Sequence, residues 1–147
     1  MTIRQLLIAN RGEIAIRIAR GAAEAGIRSH AIYSEDDLGA DHIRKCDAAH
    51  ALTGQGPAAY LDATQIIHRA SEARCEAIHP GYGFLSENAE FARRCAQAGI
   101  RFVGPAPEVL EMFGDKGKAR ALAIRCEVPV LPGTEGATTI EEARRFL

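Results

Sequence analysis

Short apolar runs alternate along this chain with longer segments in which apolar residues recur at every third or fourth position. The short runs predict strands, and the periodic segments predict helices that bury one face. Strands are predicted at residues 5–9, 29–33, 48–52, 76–79 and 100–103, and helices at 13–25, 41–46, 63–73 and from Ser86 to Gly99. Such alternation favours an α/β fold in which a parallel sheet carries helices on both faces.

Local signals predict how these elements begin and end. Asp62 is predicted to cap the helix at 63–73, and Ser86 is predicted to cap the helix after it. Residues 53–57, which include two glycines and a proline, are predicted to form a loop.

The pattern changes after Gly104. Pro107 begins an apolar helix that Gly114 interrupts, and a second helix is predicted at residues 116–126. This organisation predicts a hinge into a second unit. The last predicted helix reaches Leu147 without a stop signal, so the sequence is expected to be part of a longer protein.

Composition narrows the function classes. The chain has 147 residues, 47% of them hydrophobic, which is enough for one core and the beginning of another domain. Eighteen basic and nineteen acidic residues leave a formal charge of −1 without a basic stripe, so nucleic-acid binding is not expected. Because no membrane-length apolar run and no leader sequence is visible, a cytoplasmic location without membrane attachment is expected.

The cysteines and carboxylates do not have the spacing of a metal site. No Cys-x-x-Cys pair occurs, and single cysteines of this kind are expected to be reduced, buried thiols: Cys46, Cys75, Cys95 and Cys126. The carboxylates lie mostly at helix starts and surfaces, so no metal ligands are predicted within the chain.

The first strand-to-helix turn, at residues 9–13, lacks the Gly-x-Gly-x-x-Gly pattern with which related folds bind a pyrophosphate. Glu13 favours the helix dipole but repels phosphate, so a NAD or FAD site is not expected here. Asn10 and Arg11 are instead predicted to brace the loop.

A second loop, at residues 77–88, is less ordinary. Pro80 ends a strand, and Gly81 and Gly83 permit backbone angles that other residues resist, so that Tyr82 is presented between them. An aromatic ring at the carboxyl end of a parallel strand lies where α/β folds bind ligands. The residues alone also allow a tight turn whose tyrosine covers the core.

Three motifs together resemble those of biotin carboxylase, the ATP-dependent component of biotin-dependent carboxylases. They lie at residues 7–15, 77–88 and 114–116, in the order and approximate spacing of that family. The resemblance implies a Rossmann-like domain at 1–113 that binds no dinucleotide, followed at 114–147 by the beginning of an ATP-grasp region.

The same resemblance implies roles for individual residues. Tyr82 and Gly83 would border the pocket for the ureido ring of biotin, and Lys116 would contact the phosphates of ATP in the same opening. Chemistry alone does not distinguish Lys116 from Lys118 or Arg120, which are equally suited to phosphate.

Two polar residues near Tyr82 are expected to be structural. We interpret His79 as a hydrogen-bonded histidine rather than a catalytic one. Glu87 is expected to cap its helix rather than to point into the pocket.

Charged residues on the first helix follow three- and four-residue steps and share one polar face: Glu13, Arg17, Arg20 and Glu24. Such a face is ordinarily solvated and able to form internal ion pairs. The resemblance implies that Arg17, Arg20 and Glu24 lie at a homodimer interface.

The reaction implied by the resemblance uses ATP and Mg²⁺ to convert bicarbonate to carboxyphosphate and then carboxylates biotin on a carrier domain. The implied partners are the remainder of the biotin carboxylase, the biotin carboxyl carrier and the carboxyltransferase. No catalytic residue is predicted within this chain, because the phosphate flap, the metal ligands and the bicarbonate base would all follow it. The chain alone is expected to be inactive, and the final acceptor (acetyl-CoA, propionyl-CoA, pyruvate or urea) is not specified.

Two alternatives stay open at this point. The chain could lead another bicarbonate-activating ATP-grasp ligase of the carbamoyl-phosphate synthetase type, although residues 79–84 speak against it. It could also be a non-catalytic oligomerisation module that uses its first helix as a contact face.

Overall fold

A computed structural model describes residues 2–133 and 138–146. The chain forms two compact units, Met1–Pro107 and Glu108–Leu147. The domain boundary predicted between residues 113 and 114 concerns the intact protein and stays a prediction.

The first unit is built on a parallel sheet of five strands. Their spatial order is β3-β2-β1-β4-β5, so β1 lies in the centre between β2 and β4. The strands are β1 (Gln5–Ile8), β2 (Arg28–Tyr33), β3 (Ala48–Ala51), β4 (Ala77–His79) and β5 (Arg101–Phe102).

Helices connect these strands and continue into the second unit. Those before β5 are α1 (Gly12–Glu24), α2 (Asp41–Lys45), α3 (Gly56–Ala59), α4 (Ala63–Glu72) and α5 (Ala89–Gln97). After β5 come α6 (Pro107–Gly114), α7 (Lys116–Arg125) and α8 (Ile140–Phe146).

Alternate residues of the central strands face two separate apolar clusters, one on each side of the sheet. On one side, Leu6 and Ile8 pack with the small buried residues of α1, which are Ala15, Ala19 and Ala22. On the other side, Leu7 and Ile78 pack with residues of α4 and α5, including Ile66, Ala70, Phe91 and Cys95. This arrangement confirms the predicted α/β fold with a parallel sheet and helices on both faces.

Most predicted elements are present within one or two residues, but one helix cap is wrong. Asp62 caps α4 as predicted, because its Oδ1 accepts hydrogen bonds from the N–H groups of Thr64 and Gln65 at 3.0 and 3.1 Å. Neither Ser86 nor Glu87 caps α5. The residues before Asn88 form turns, and Asn88 Oδ1 accepts the N–H of Phe91 at 2.8 Å instead.

Two further predictions need correction. The end of the segment predicted as a loop, residues 53–57, belongs to a short helix, Gly56–Ala59, because Pro57 suits the first turn of a helix. The last strand is only two residues long instead of four. It lies at the edge of the sheet, where it pairs with the three-residue strand β4.

Two of the four cysteines are buried. Cys75 and Cys95 are buried, and burial raises the pKa of each thiol to about 12. Cys46 is half-buried, whereas Cys126 is exposed, contrary to the expectation of buried thiols. In the described ranges, no helix has the length and apolar character needed to cross a bilayer.

The second unit exposes much of its apolar surface. Helix α7 has no buried residue, and Leu110 is the buried hydrophobic residue of α6. Apolar side chains with at least a third of their surface exposed are Val109, Met112, Phe113, Ile124, Val128, Val130, Leu131 and Ile140.

A histidine pair links two strands of the first unit and predicts acid sensitivity. His30 Nδ1 and His50 Nε2 lie 3.0 Å apart, and Gln5 contacts the other side of the His30 ring. Burial lowers the pKa of both histidines from 6.5. The positive charges of His50 and Arg28 lower the pKa of His30 further, and Arg69 does the same for His50, whereas Asp47 and Glu72 act in the opposite direction. The unfolded chain therefore binds protons more readily than the folded chain below about pH 6.5.

We expect the free energy of unfolding to fall as the pH decreases from about 6.5 to about 5, before the carboxylates titrate. Urea denaturation at several pH values measures this loss. A variant with both His30→Gln and His50→Gln is the control, and its stability should change less over the same range. An equal loss in the variant would contradict the assignment to this pair.

Candidate functional site at the carboxyl edge of the sheet

The order of the strands creates a crevice beside the centre of the sheet. The chain leaves β1 for β2 on one side, whereas β4 lies on the other side of β1. Open α/β sheets bind ligands at such a switch point, beyond the carboxyl ends of the strands. Asn10 follows β1, and residues 80–83 follow β4, so both border this crevice. We refer to residues 80–83 as the Tyr82 loop.

Asn10 joins the two sides of the switch point. Its Nδ2 donates to the carbonyl oxygens of Pro80 at 2.8 Å and Tyr82 at 2.9 Å, while its Oδ1 accepts the N–H of Arg11 at 2.9 Å. The side chain is 2% exposed. The bond to Arg11 N–H confirms that Asn10 braces the loop after β1, and the other two bonds tie that loop to the Tyr82 loop. The Arg11 side chain instead reaches Asp37, after β2.

The glycines of the Tyr82 loop have different roles. Both Gly81 and Gly83 have φ of +69°, in the left-handed region that favours glycine. A Cβ on Gly81 would lie 2.6 Å from Asn10 Nδ2 and 2.8 Å from a methyl group of Ile14, whereas one on Gly83 would have no neighbour within 4 Å. The Tyr82 ring between them is 69% exposed, so it does not cover the core.

A groove of about 590 Å³ runs between α1 and the Tyr82 loop. Its walls are mostly apolar and are formed by Ile3, Leu6, Ile14, Ile18, Gly21, Ala22, Ile27 and Val103, together with Arg17, His79, Gly81 and Tyr82. We call this the α1 groove. An apolar groove with a few polar groups at one side is typical of small-molecule sites.

His79 has the structural hydrogen bond that the sequence predicted. Its Nδ1 accepts the N–H of Gly81 at 3.0 Å, which leaves the proton of the neutral ring on Nε2. Burial lowers the pKa of His79, so the ring is neutral at pH 7. The histidine therefore holds the Tyr82 loop from the side of β4.

A polar network at the carboxyl end of β2 joins the buried side chains of Asp37 and Tyr60 to the partly exposed Arg11. Arg11 pairs with Asp37 at 2.5 Å, and the hydroxyl of Tyr60 donates to the same carboxylate at 2.7 Å. Burial raises the pKa of Tyr60 to about 12, and the bond to Asp37 adds to this rise. In a dinucleotide-binding fold, a carboxylate near this point binds ribose. Here the Asp37 carboxylate is engaged by protein groups.

Sequence reasoning missed Asp37 and Tyr60. Asp37 lies in the acidic turn after β2, a position that provides a signal because the carboxyl ends of strands collect functional groups. Tyr60 has no such signal, since it lies 23 residues from its partner Asp37 and reaches it only through the fold.

Lys116 lies in the second unit, where it is the first residue of helix α7. Asp115 caps this helix by accepting the N–H of Lys118 at 3.0 Å. The Lys116 side chain is exposed. Arg120 differs from it, because its guanidinium donates to the carbonyl oxygen of Leu131 at 2.6 Å. The opening that Tyr82 and Lys116 are predicted to share stays a prediction.

The charged face of α1 is exposed as predicted at Arg17, Arg20 and Glu24. Within the described ranges, these residues and Glu13 form no ion pair with one another. Arg17 lies on the α1 groove, as does Tyr82. Arg17, predicted at a dimer interface, and Tyr82, predicted to contact biotin, therefore border the same groove.

Among residues 2–133 and 138–146, no group of three or more histidine, cysteine, aspartate or glutamate side chains is arranged to hold an ion.

Comparison with known proteins identifies the family. The model of the family described as "Biotin carboxylase, N-terminal domain" matches residues 2–110. The chain is 53% identical to human mitochondrial pyruvate carboxylase over 98% of its length, and 56% identical to pyruvate carboxylase of Staphylococcus aureus over the same share. It spans only 12% and 13%, respectively, of the length of these relatives.

Solved structures give the same result. The biotin carboxylase domain of a single-chain bacterial carboxylase is 57% identical, with a TM-score of 0.93 over 97% of this chain and 33% of that one. The biotin carboxylase domain dimer of Hydrogenobacter thermophilus 2-oxoglutarate carboxylase, solved with MgADP, ADP and bicarbonate, is 43% identical. Its TM-score is 0.94 over 99% of this chain and 32% of that one. The chain described here therefore belongs to the biotin carboxylase N-terminal domain family.

Proposed function

We propose that this chain forms the amino-terminal part of a biotin carboxylase, which carboxylates carrier-bound biotin with ATP and bicarbonate. The observation that carries the proposal is the exposed Tyr82 ring at the switch point, held by Asn10 and His79 in a chain of this family. In the proposed enzyme, Tyr82 and Gly83 form one wall of the biotin pocket. The chain alone has no turnover.

The second unit supports a longer protein. Its apolar side chains are mostly exposed, and such surface is stabilised when further chain covers it. We propose that residues 114–147 begin an ATP-grasp region that additional sequence completes, and that residues 1–113 form the preceding domain.

The described residues offer groups that suit ATP and biotin, but no ligand cluster for Mg²⁺. Lys116 has an exposed ammonium group that suits a phosphate of ATP. Mg²⁺ finds no ligand cluster in the described part of the chain, so its ligands would come from elsewhere in the enzyme. Biotin would contact the Tyr82 loop, where an apolar groove and a neutral histidine suit an uncharged ring.

The proposed partners are the remainder of the carboxylase, its biotin carboxyl carrier and its carboxyltransferase. The exposed charged face of α1 supports a homodimer through Arg17, Arg20 and Glu24. Charge reversal at Arg17 and Arg20 should then weaken dimers in sedimentation experiments. We propose a cytoplasmic location, although relatives include mitochondrial enzymes.

Nucleotide binding by the full-length protein tests the role of Lys116. Replacing Lys116 with alanine removes a charged hydrogen-bond donor, so ATP affinity should fall by between about tenfold and about a hundredfold. The matched control is Lys118→Ala, which removes an exposed lysine from the same helix. Isothermal titration calorimetry with ATP provides the comparison. Equal affinities for the wild-type protein and the Lys116 variant would refute this role.

A further inference from the structure

We propose that Asn10 is a positioning residue that fixes the Tyr82 ring for the biotin acceptor. This inference rests on the proposed function. It adds a residue from the first strand-to-helix turn to the biotin site, although that turn lies 70 positions before the loop along the chain.

Both N–H groups and the oxygen of the Asn10 side-chain amide form hydrogen bonds. Both N–H bonds of its Nδ2 are used by carbonyl oxygens of the Tyr82 loop, which belong to Pro80 and Tyr82. The Oδ1 atom accepts a backbone N–H from its own turn. Because the side chain is 2% exposed, water cannot replace these partners without a structural change.

The fit excludes close relatives of asparagine. Aspartate has the same shape but no N–H, so its carboxylate would face two carbonyl oxygens at 2.8 and 2.9 Å. Glutamine is one methylene longer. The space for it is closed by Gly81, whose α-carbon packs so near the Asn10 amide that an added Cβ would lie 2.6 Å from Nδ2.

The position of the Tyr82 ring depends on its backbone. The ring is 69% exposed, and the flanking glycines make the chain around it intrinsically flexible. Asn10 and His79 both bond to the peptide group between Pro80 and Gly81, and Asn10 also bonds to the carbonyl oxygen of Tyr82. Release of the Asn10 bonds would therefore free the ring without removing it.

Backbone NMR relaxation of the 147-residue chain tests the positioning directly. We expect the Tyr82 amide to have an order parameter of about 0.85 in the wild-type chain and below about 0.6 in Asn10→Asp. The control is Asn88→Asp, the same chemical change at the cap of α5, where aspartate accepts the Phe91 N–H equally well. If Asn10→Asp does not fold, Asn10→Ala removes the donor without adding a charge.

Kinetics of the full-length carboxylase test the consequence for biotin. Asn10→Asp should raise KM for free biotin about tenfold, with a smaller change in KM for ATP. In a Tyr82→Ala background, the same substitution should raise KM for biotin little further, because Asn10 acts through Tyr82. Asn88→Asp should leave both constants near their wild-type values.

The outcomes separate this inference from the proposed function. A Tyr82 amide that stays equally rigid in the Asn10 variant overturns the inference, as does a full tenfold effect in the Tyr82→Ala background. If the loop loosens but neither Asn10→Asp nor Tyr82→Ala alters KM for biotin, Asn10 positions Tyr82 as inferred, and the assignment of the biotin pocket is the part that fails.

Discussion

Replacing Gly81 with alanine should lower the free energy of unfolding by about 3 kcal/mol. The new methyl group would lie 2.6 Å from Asn10 Nδ2 and 2.8 Å from an Ile14 methyl group, and the residue would keep an unfavourable φ of +69°. Asn10 is buried and held by three hydrogen bonds, so relief of its contact requires movement of the loop. Urea denaturation followed by circular dichroism measures the loss.

Gly83 offers a matched control for this substitution. It has the same φ of +69°, but an added Cβ would meet nothing within 4 Å. Gly83→Ala should therefore cost only the backbone strain, about 1 kcal/mol. Similar losses for the two variants would show that the Tyr82 loop does not pack against Asn10 and Ile14 as described.

The second large effect is expected at Asp37. Its replacement with alanine should lower the free energy of unfolding by about 3 kcal/mol, because a buried carboxylate and its hydrogen bonds are lost, together with its pairing to the partly exposed Arg11. Asp37 is 7% exposed and binds Arg11 and the hydroxyl of the fully buried Tyr60. Without the carboxylate, that hydroxyl loses its acceptor in a buried position.

An exposed aspartate provides the comparison. Asp41 pairs with Arg44 at the surface, where both side chains are more than 60% exposed. Such pairs contribute about 0–1 kcal/mol, so Asp41→Ala should change the urea midpoint little. If Asp37→Ala were equally mild, the network at the carboxyl end of β2 would have no important role in stability.

Much of the fold was predictable from local patterns. Short runs of mostly apolar or small residues predicted the first three strands nearly to the residue. The apolar run is clearest in the central strand β1, because a parallel strand covered on both faces needs apolar side chains on both. Glycine at positions 81 and 83 predicted a loop with unusual backbone angles, and both residues have positive φ. Asp62 was identified as a cap because its partners lie within three residues along the chain.

The parts that sequence reasoning missed depend on long-range contacts. Asn10 was expected to brace its own turn, but its partners Pro80 and Tyr82 follow another strand and meet it only when the sheet forms. The same holds for Tyr60 and Asp37, which lie on opposite sides of β3 in the sequence. Ser86 was mistaken for a cap because serine and asparagine are equally suited to that position, and turns before Asn88 decide between them.

The likeness to a known family supplied what physics alone left open. The sequence allowed Tyr82 either to cover the core or to face a ligand. Its 69% exposure excludes a position over the core. That exposure does not by itself specify a ligand. The assignment of biotin depends on the family, whose description matches residues 2–110.

The most direct test of this account is the dependence of ATP cleavage on free biotin in the full-length protein carrying Tyr82→Ala. Leu38→Ala, which shortens a side chain with the same 69% exposure, is the control. The account predicts that KM for biotin rises about tenfold in the tyrosine variant, because an aromatic contact to the acceptor is lost, and stays near the wild-type value in the control. An unchanged KM for biotin in Tyr82→Ala would contradict the proposal that this loop forms a wall of the biotin site.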